Sequence, residues 1–279
     1  MALIIPGGGS TSRHRSIVRR RRRAAVQSDG KSYSLDGVDE RIHIDGVAGT
    51  GDFNWQGDAF TVSTWFKSSH NGLQYLWSFA KAGTSSTSWC GLRIQSNYVW
   101  MMGYSSGASL VGTPVSPQGN NGYFGVKNTD TNGINPIDGN WHHAVVTVAG
   151  TSNTEAAARM YVDGNYVAYA KQKSSSLNMG DFTVGCLRRK NGNSVQNFLN
   201  GKVAQLSLYT SALSATQVTA LYGNGSPPDE TQLTPSPDHY YRFGDGDTRG
   251  PSTLTDYGSG DVDGTGTNME AADIVEDHP

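Results

Sequence analysis

The chain has 279 residues and a formal net charge of −2, with 35 glycines, 36 % hydrophobic residues and only 16 % charged ones. No apolar run approaches the ~18 residues of a membrane-spanning helix, no Gly-x-y period marks a collagen, and 10 % aromatic residues suffice for a packed core, which argues against wholesale disorder. The profile is that of a loop-rich β-protein, long enough for one large domain with extensions.

The net charge hides an asymmetry. Arg13, Arg15, Arg19, Arg20, Arg21, Arg22 and Arg23 fall within eleven residues, and no acid precedes Asp29. The other 15 Lys/Arg and all 24 Asp/Glu follow, twelve of the acids from Asp229 onward. Residues 1–28 therefore read as a basic arm on an acidic body. Met1 to Ile5 is a short apolar piece, Gly7-Gly8-Gly9 follows and the arginines come last. A secretory signal has the opposite order, charge before a longer apolar stretch, so synthesis in the producer's cytoplasm is expected. The arm could contact phosphates of a nucleic acid, dock on an acidic protein surface or remain solvated. No aromatics interleave with the arginines, which weakens single-strand stacking.

From residue 29 to about 225 short strands recur between turn residues. Tyr33-Ser34-Leu35 and Arg41 to Ile44 flank Asp36-Gly37-Val38-Asp39. Phe60 to Phe66 alternates, and Gln74 to Phe79, Cys90 to Ile94 and Tyr98 to Met102 follow. His142 to Val148 and Ala158 to Val162 come next, and Asp163-Gly164 then turns the chain into Tyr166 to Tyr169, a strong hairpin signal. Phe182 to Gly185 and Lys202 to Tyr209 complete the set. Ten or more such strands predict an all-β, two-sheet antiparallel jelly-roll sandwich. One short helix is predicted at Ser214 to Leu221, capped by Ser214 and ended by Gly223. Cys90 and Cys186 lie in strand-like segments, where a buried thiol is the commoner state, although a bridge between them is possible.

Residues 226–279 form an acidic, Gly-rich extension that opens with Ser226-Pro227-Pro228 and contains one strand-like piece, His239 to Phe243. It has too little apolar surface to fold alone. It must wrap the sandwich, wrap a neighbour or stay loose.

Several pieces, in order, resemble the laminin-G-like branch of the concanavalin A-like lectin/glucanase superfamily. They are Tyr33-Ser34-Leu35-Asp36-Gly37-Val38-Asp39-Glu40, Phe60 to Phe66, Asp138-Gly139-Asn140-Trp141-His142-His143 with the following strand, Met160-Tyr161-Val162-Asp163-Gly164, and Phe198 to Tyr209 continuing to Tyr222. Tyr240-Tyr241-Arg242-Phe243-Gly244-Asp245-Gly246-Asp247 and Thr267 to Asp277 resemble the ends of laminin-G-like proteins of marine tailed phages.

The resemblance implies either a structural virion protein or a glycan-binding adhesin on a phage tail or cell surface. The virion protein would be a capsid decoration or cement protein made in the host cytoplasm and held by its seven arm arginines. Its partners would be the major capsid protein or another virion protein, further copies of itself, or nucleic acid through the arm, with a glycan possible and no membrane. Glycoside hydrolases of the superfamily need two carboxylates flanking the scissile bond. No such alternating acids occur here, so no enzyme, no catalytic residue and no cofactor are expected. Relatives often hold calcium at a rim, but Ala204 stands where the family strand usually has Asp, and Asp36 and Asp39 read better as turn residues. No metal site is expected. Adjacent His142 and His143 point to opposite faces of a strand and cannot easily share one ion. Among the aromatics Trp55, Trp77, Trp89, Trp100 and Tyr123, most are expected in the core. Trp89 and Tyr123, beside Gly/Ser/Asn-rich loops, are the candidates for an exposed glycan platform.

Overall fold

A computed structural model describes residues 30–46, 53–54, 59–80, 89–95, 98–105, 108–109, 111–112, 123–127, 134–149, 158–171, 178–189, 194–245 and 250–279. The basic arm and its seven arginines lie outside the described residues. In chain order the strands are β1 (Ser32–Asp36), β2 (Arg41–Asp45), β3 (Phe53–Asn54), β4 (Ala59–Lys67), β5 (Gln74–Ala80), β6 (Trp89–Gln95), β7 (Tyr98–Ser105), β8 (Ala108–Ser109), β9 (Val111–Gly112), β10 (Tyr123–Lys127) and β11 (Trp141–Ala149). Then come β12 (Ala158–Val162), β13 (Asn165–Lys171), β14 (Asn178–Met179), β15 (Asp181–Val184), β16 (Leu187–Arg189), β17 (Ser194–Gln196) and β18 (Asn200–Tyr209). The helix α1 (Ala215–Tyr222) precedes β19 (His239–Tyr241), β20 (Thr253–Leu254), β21 (Gly264–Thr267) and β22 (Ile274–Val275).

Eighteen of these strands build two nine-stranded antiparallel sheets, while β3 pairs with β14 and β16 with β17 in two-stranded ladders. One runs β22-β1-β18-β4-β11-β12-β13-β9, with β19 also on β18. The other runs β10-β7-β6-β5-β15-β2-β21-β20, with β8 on β7. The expected sandwich is what forms. The period-2 alternation sends Phe60, Val62 and Phe66 of β4 and Ile42 and Ile44 of β2 into one core between the sheets. Phe79 joins the layers there, with ring centroids 6.0 Å from Phe60 of the facing sheet and 4.6 Å from Phe182 of its own. Cys90 is part of this core, and both it and Cys186 are buried free thiols.

Local sequence explains the turns. Asp163 and Gly164 have φ of 49° and 74°, the pair of left-handed residues a two-residue hairpin requires. The Asp163 carboxylate reaches back to accept from the His143 backbone N–H at 2.8 Å and to pair with His142 Nδ1 at 2.8 Å. Asp36 Oδ1 accepts from Val38 N–H at 2.7 Å, and Gly37 has φ of 80°. That carboxylate closes a turn, as Asp-Gly sequences do. Ala204 is fully buried in β18. The helix has Ser214 as N-cap in a capping box with Gln217, and Gly223 ends it at φ 57°. Val218 and Leu221 of α1 pack on Val145, Tyr161 and Tyr209, a second apolar cluster on the outer face of the first sheet.

Of the three possibilities for the acidic extension, wrapping the sandwich is realised, and the wrap is an addition of strands. β19 pairs with β18, β21 with β2 and β22 with β1. Both sheets thus gain strands from the last 41 residues of the chain, which cover edges that would otherwise offer unpaired backbone groups. The end is tied down by Asp277. Its carboxylate accepts from Lys202 Nζ at 2.5 Å, from Trp141 Nε1 at 2.8 Å and from Lys67 Nζ at 3.0 Å. Burial pushes this carboxyl up, but the hydrogen bonds from Lys202, Trp141 and Lys67 outweigh it and bring it down to about 2. A carboxyl held below its unfolded value of 3.8 stabilises the fold above pH ~4, and that contribution disappears as pH falls towards 2. Asp277→Asn is therefore expected to lower the melting temperature at pH 7 and to have no effect near pH 2. Calorimetry at the two pH values checks this, and an equal effect at both would contradict the tether.

Candidate ligand-binding face

The site candidate lies on the second sheet, on the face turned away from the core. In β6, Cys90, Leu92 and Ile94 enter the core, so the alternation turns Trp89, Gly91 and Arg93 to the opposite face. Register then assembles a belt. Arg93 lies opposite Trp100 of β7 and Tyr75 of β5. The Arg93 guanidinium carbon sits 4.6 Å from the Trp100 ring centroid. Tyr75 meets Trp89 edge-on at 6.0 Å, and Arg189 of β16 lies over Trp89 with its guanidinium carbon 4.8 Å from the ring centroid. Arg93, Trp100, Tyr75, Trp89 and Arg189 are thus linked side by side, with a cation over each indole, an arrangement stabilised by the ring quadrupole.

Two local features make the belt possible. β5 shifts register between Tyr75 and Trp77, and the bulge brings its backbone close to β6. A Cβ on Gly91 would lie 2.5 Å from the Trp77 carbonyl oxygen, so only glycine fits between Trp89 and Arg93. The β16–β17 hairpin is anchored beside β5. Ser78 Oγ donates to the Cys186 carbonyl at 2.9 Å and accepts from Arg188 N–H at 3.1 Å. Leu187 is buried against Tyr75 and Trp89, which places Arg189, two residues on, over the indole.

At the other end of the same face, paired strands bring together His43 and Asp45 of β2 and Asp181 of β15, with Asp181 opposite Asp45. His43 Nε2 lies 2.5 Å from Asp45 Oδ1. Arg188 Nη1 lies 2.6 Å from His43 Nδ1 and also contacts Nε2, and its Nη2 is 3.9 Å from Asp181. Burial, then Arg188, push the His43 imidazole below its ordinary value, so it is neutral at pH 7. Burial pushes the Asp181 carboxyl up; Arg188 opposes this, and the neighbouring Asp45 adds to it. His43, Asp45 and Asp181 present ligand atoms within 4.8 Å of one another, a spacing a divalent cation could use. Arg188 already supplies positive charge there, so these acids have a counter-charge from the chain itself.

The sequence candidates distribute as follows. Trp89 lies on this face, but it is 3 % exposed and not an exposed platform. The reason is that β5 and β7 flank it and Arg189 covers its ring. Tyr123 begins β10, opposite Met102 of β7; its side chain lies outside the described residues, as does Trp55. Trp77 is in the core, and Trp100 is buried on the belt. His142 and His143 part as expected. His143 stacks on Trp65 at 4.9 Å and shares a 2.7 Å hydrogen bond with Ser63, whereas His142 is held between Asp138 and Asp163. Arg93, Arg188, Arg189 and Tyr75 were not recognisable as site residues. The available signal was the alternation Trp89-Gly91-Arg93, an aromatic and a cation on the non-core face of one strand.

Residues 44–219 match the profile of a laminin G family described under the concanavalin A-like lectin/glucanases superfamily. Against curated protein sequences the chain finds no match. Among solved structures it is similar to a carbohydrate-binding candidate from Bacteroides ovatus, with 15 % identity and a TM-score of 0.57 over 89 % of this chain and 60 % of that one. It is also similar to a heptameric SAP-like pentraxin from Limulus polyphemus, with 16 % identity and a TM-score of 0.51 over 71 % of this chain and 84 % of that one. At these identities the likeness is one of fold.

Proposed function

The chain belongs to the laminin G family of the concanavalin A-like lectin/glucanases superfamily, and on that premise we propose that it is a non-catalytic glycan-binding protein that uses the outer face of its second sheet. The observation that carries this reading is the belt from Arg93 to Arg189, in which guanidinium groups lie over the Trp100 and Trp89 rings. Guanidinium donors supported from beneath by buried rings suit a ligand with many oxygens. The description of the Bacteroides ovatus neighbour as carbohydrate-binding agrees with it. A catalytic role has less support. Asp45 and Asp181 are cross-strand neighbours on this face, and each is engaged by the chain itself, Asp45 by His43 and Asp181 by Arg188, rather than standing free on either side of a glycosidic bond. The test is a glycan array probed with the purified protein. Binding to a restricted set of oligosaccharides, without their hydrolysis, is expected. Absence of binding across the array would overturn the reading.

For the place of action we propose the virion of a tailed phage, with the protein as a capsid decoration or cement protein. The support is the arm: seven arginines in eleven residues on an otherwise acidic chain, suited to an acidic protein surface first and nucleic acid second. Deleting residues 1–28 is expected to leave a folded sandwich that no longer joins particles, and attachment of the intact protein weakens as salt rises. Full occupancy by the truncated protein would move the anchor to the sandwich or the extension.

A further inference from the structure

We propose that the glycan carries an acidic group, a carboxylate or a sulfate, and that Arg189 receives it; this rests on the glycan-binding reading above. Arg189 is half-buried, and its Nε is fully buried with no hydrogen-bond partner. Its neighbour Arg188 has His43 and Asp181. Arg189 has Trp89 beneath it and no ion-pair partner among the described residues. A cation withdrawn from water in this way is ordinarily matched by an anion, and the chain does not supply one among those residues.

The stacking decides what the ligand meets. The guanidinium occupies a face of the Trp89 ring, and Trp89 is almost wholly buried, so a neutral sugar cannot use that indole as its platform. What Arg189 presents is a planar fork of N–H donors, whose geometry matches two oxygens of a carboxylate or sulfate and is worth more to an anion than to a hydroxyl. Contact with Trp89 and burial of Nε restrict the side chain before any ligand arrives, which removes much of the entropy an exposed arginine loses on pairing. Arg93 lies four residues from Trp89 along β6, ~13 Å away at ~3.3 Å per residue. A bound oligosaccharide that seats its acidic group on Arg189 therefore extends towards a second guanidinium.

The experiment uses the full chain on an array of neutral, uronate-bearing, sialylated and sulfated oligosaccharides, followed by titration calorimetry on the best binder and its neutral counterpart. The wild-type protein is expected to bind an acid-bearing glycan at least tenfold more tightly than the neutral one, with the uronate, sialyl and sulfate arms identifying which anion it is. Arg189→Gln keeps most of the side-chain stem and is expected to erase that preference, its affinity for the acid-bearing glycan falling at least tenfold further than its affinity for the neutral one. Arg189→Lys keeps the charge without the fork and is expected to retain part of it. Melting curves confirm that each variant is folded. Equal binding of neutral and acidic forms, or a preference that survives in folded Arg189→Gln, would overturn the inference and leave glycan binding standing. No binding to any glycan would overturn both.

Discussion

At pH 8, Glu230→Gln is expected to be more stable than the wild-type protein, by up to about 3 kcal/mol. Glu230 is 1 % exposed, where the segment after α1 packs on the outer face of the first sheet. Its Oε2 accepts from Tyr209 Oη at 2.7 Å, and Tyr209 belongs to an apolar cluster with Val145, Tyr161 and Leu221. Burial raises this carboxyl to about 7, with the hydrogen bond from Tyr209 opposing and nearby Asp229 adding to it. The sign follows from proton counting. Between its unfolded value of 4.5 and about 7 the folded protein holds a proton that the unfolded chain has released, so stability falls as pH rises through that window and is level above it. Glutamine is neutral throughout and still accepts from Tyr209. The variant should match the wild type near pH 4.5 and melt several degrees higher at pH 8. A lower melting temperature at pH 8 would mean that the carboxylate is ionised and paired in the folded state.

Asp256→Ala is expected to cost about 4 kcal/mol or more and to release the extension. Asp256 is fully buried and serves as an acceptor hub. Oδ1 accepts from the backbone N–H groups of Tyr240 at 2.9 Å and Gly258 at 2.8 Å. Oδ2 accepts from Val262 N–H at 2.9 Å and pairs with His239 Nδ1 at 2.7 Å. Alanine removes an acceptor from three backbone donors at once, each costing ~1–3 kcal/mol when left buried and unpaired, and takes the carboxylate from a buried histidine. Because these residues hold β19 against the first sheet and feed β20 and β21 into the second, both sheets lose their added strands together. Urea unfolding with limited proteolysis checks this: cleavage should move into residues 226–279 before the sandwich unfolds. Asp256→Asn, which keeps Oδ1, should cost less than half as much. An alanine variant with wild-type stability and no new cleavage would refute the hub.

The difference between those two regions and the rest of the chain shows what the sequence makes legible. Phe60 to Phe66 could be read as a strand because alternation reports one buried face directly. Asp163-Gly164 could be read as a hairpin because few residue pairs tolerate two left-handed conformations. Trp65 was less transparent. It faces away from the core, yet stacks on His143 at 4.9 Å and Tyr222 at 5.7 Å, because Tyr222 of α1 lies over that face as well. Beyond the strand-like piece His239 to Phe243 the extension has no periodicity to read, since polar groups such as Asp256 and Asp277 order it, and an acidic, Gly-rich stretch looks the same whether or not its carboxylates find donors. Arg188 and Arg189 carry no local pattern that marks them as site residues. Only the sheet order, which sets the β16–β17 hairpin beside β5, makes them part of a face with residues about a hundred positions earlier. Trp89 was singled out for its loop, but it takes its place in the site as the support beneath Arg189.

The central claim is that ligand binds along this belt, and the indole N–H signals of the six tryptophans report on it individually. With 15N-labelled protein and the best oligosaccharide from the array, the Trp89 and Trp100 indole signals should shift in proportion to occupancy. Those of Trp77 in the core, Trp65 beneath α1 and Trp141 beside Asp277 should stay in place. Saturable shifts confined to Trp141 or Trp65, with Trp89 and Trp100 unmoved, would put the ligand on the first sheet and contradict the account.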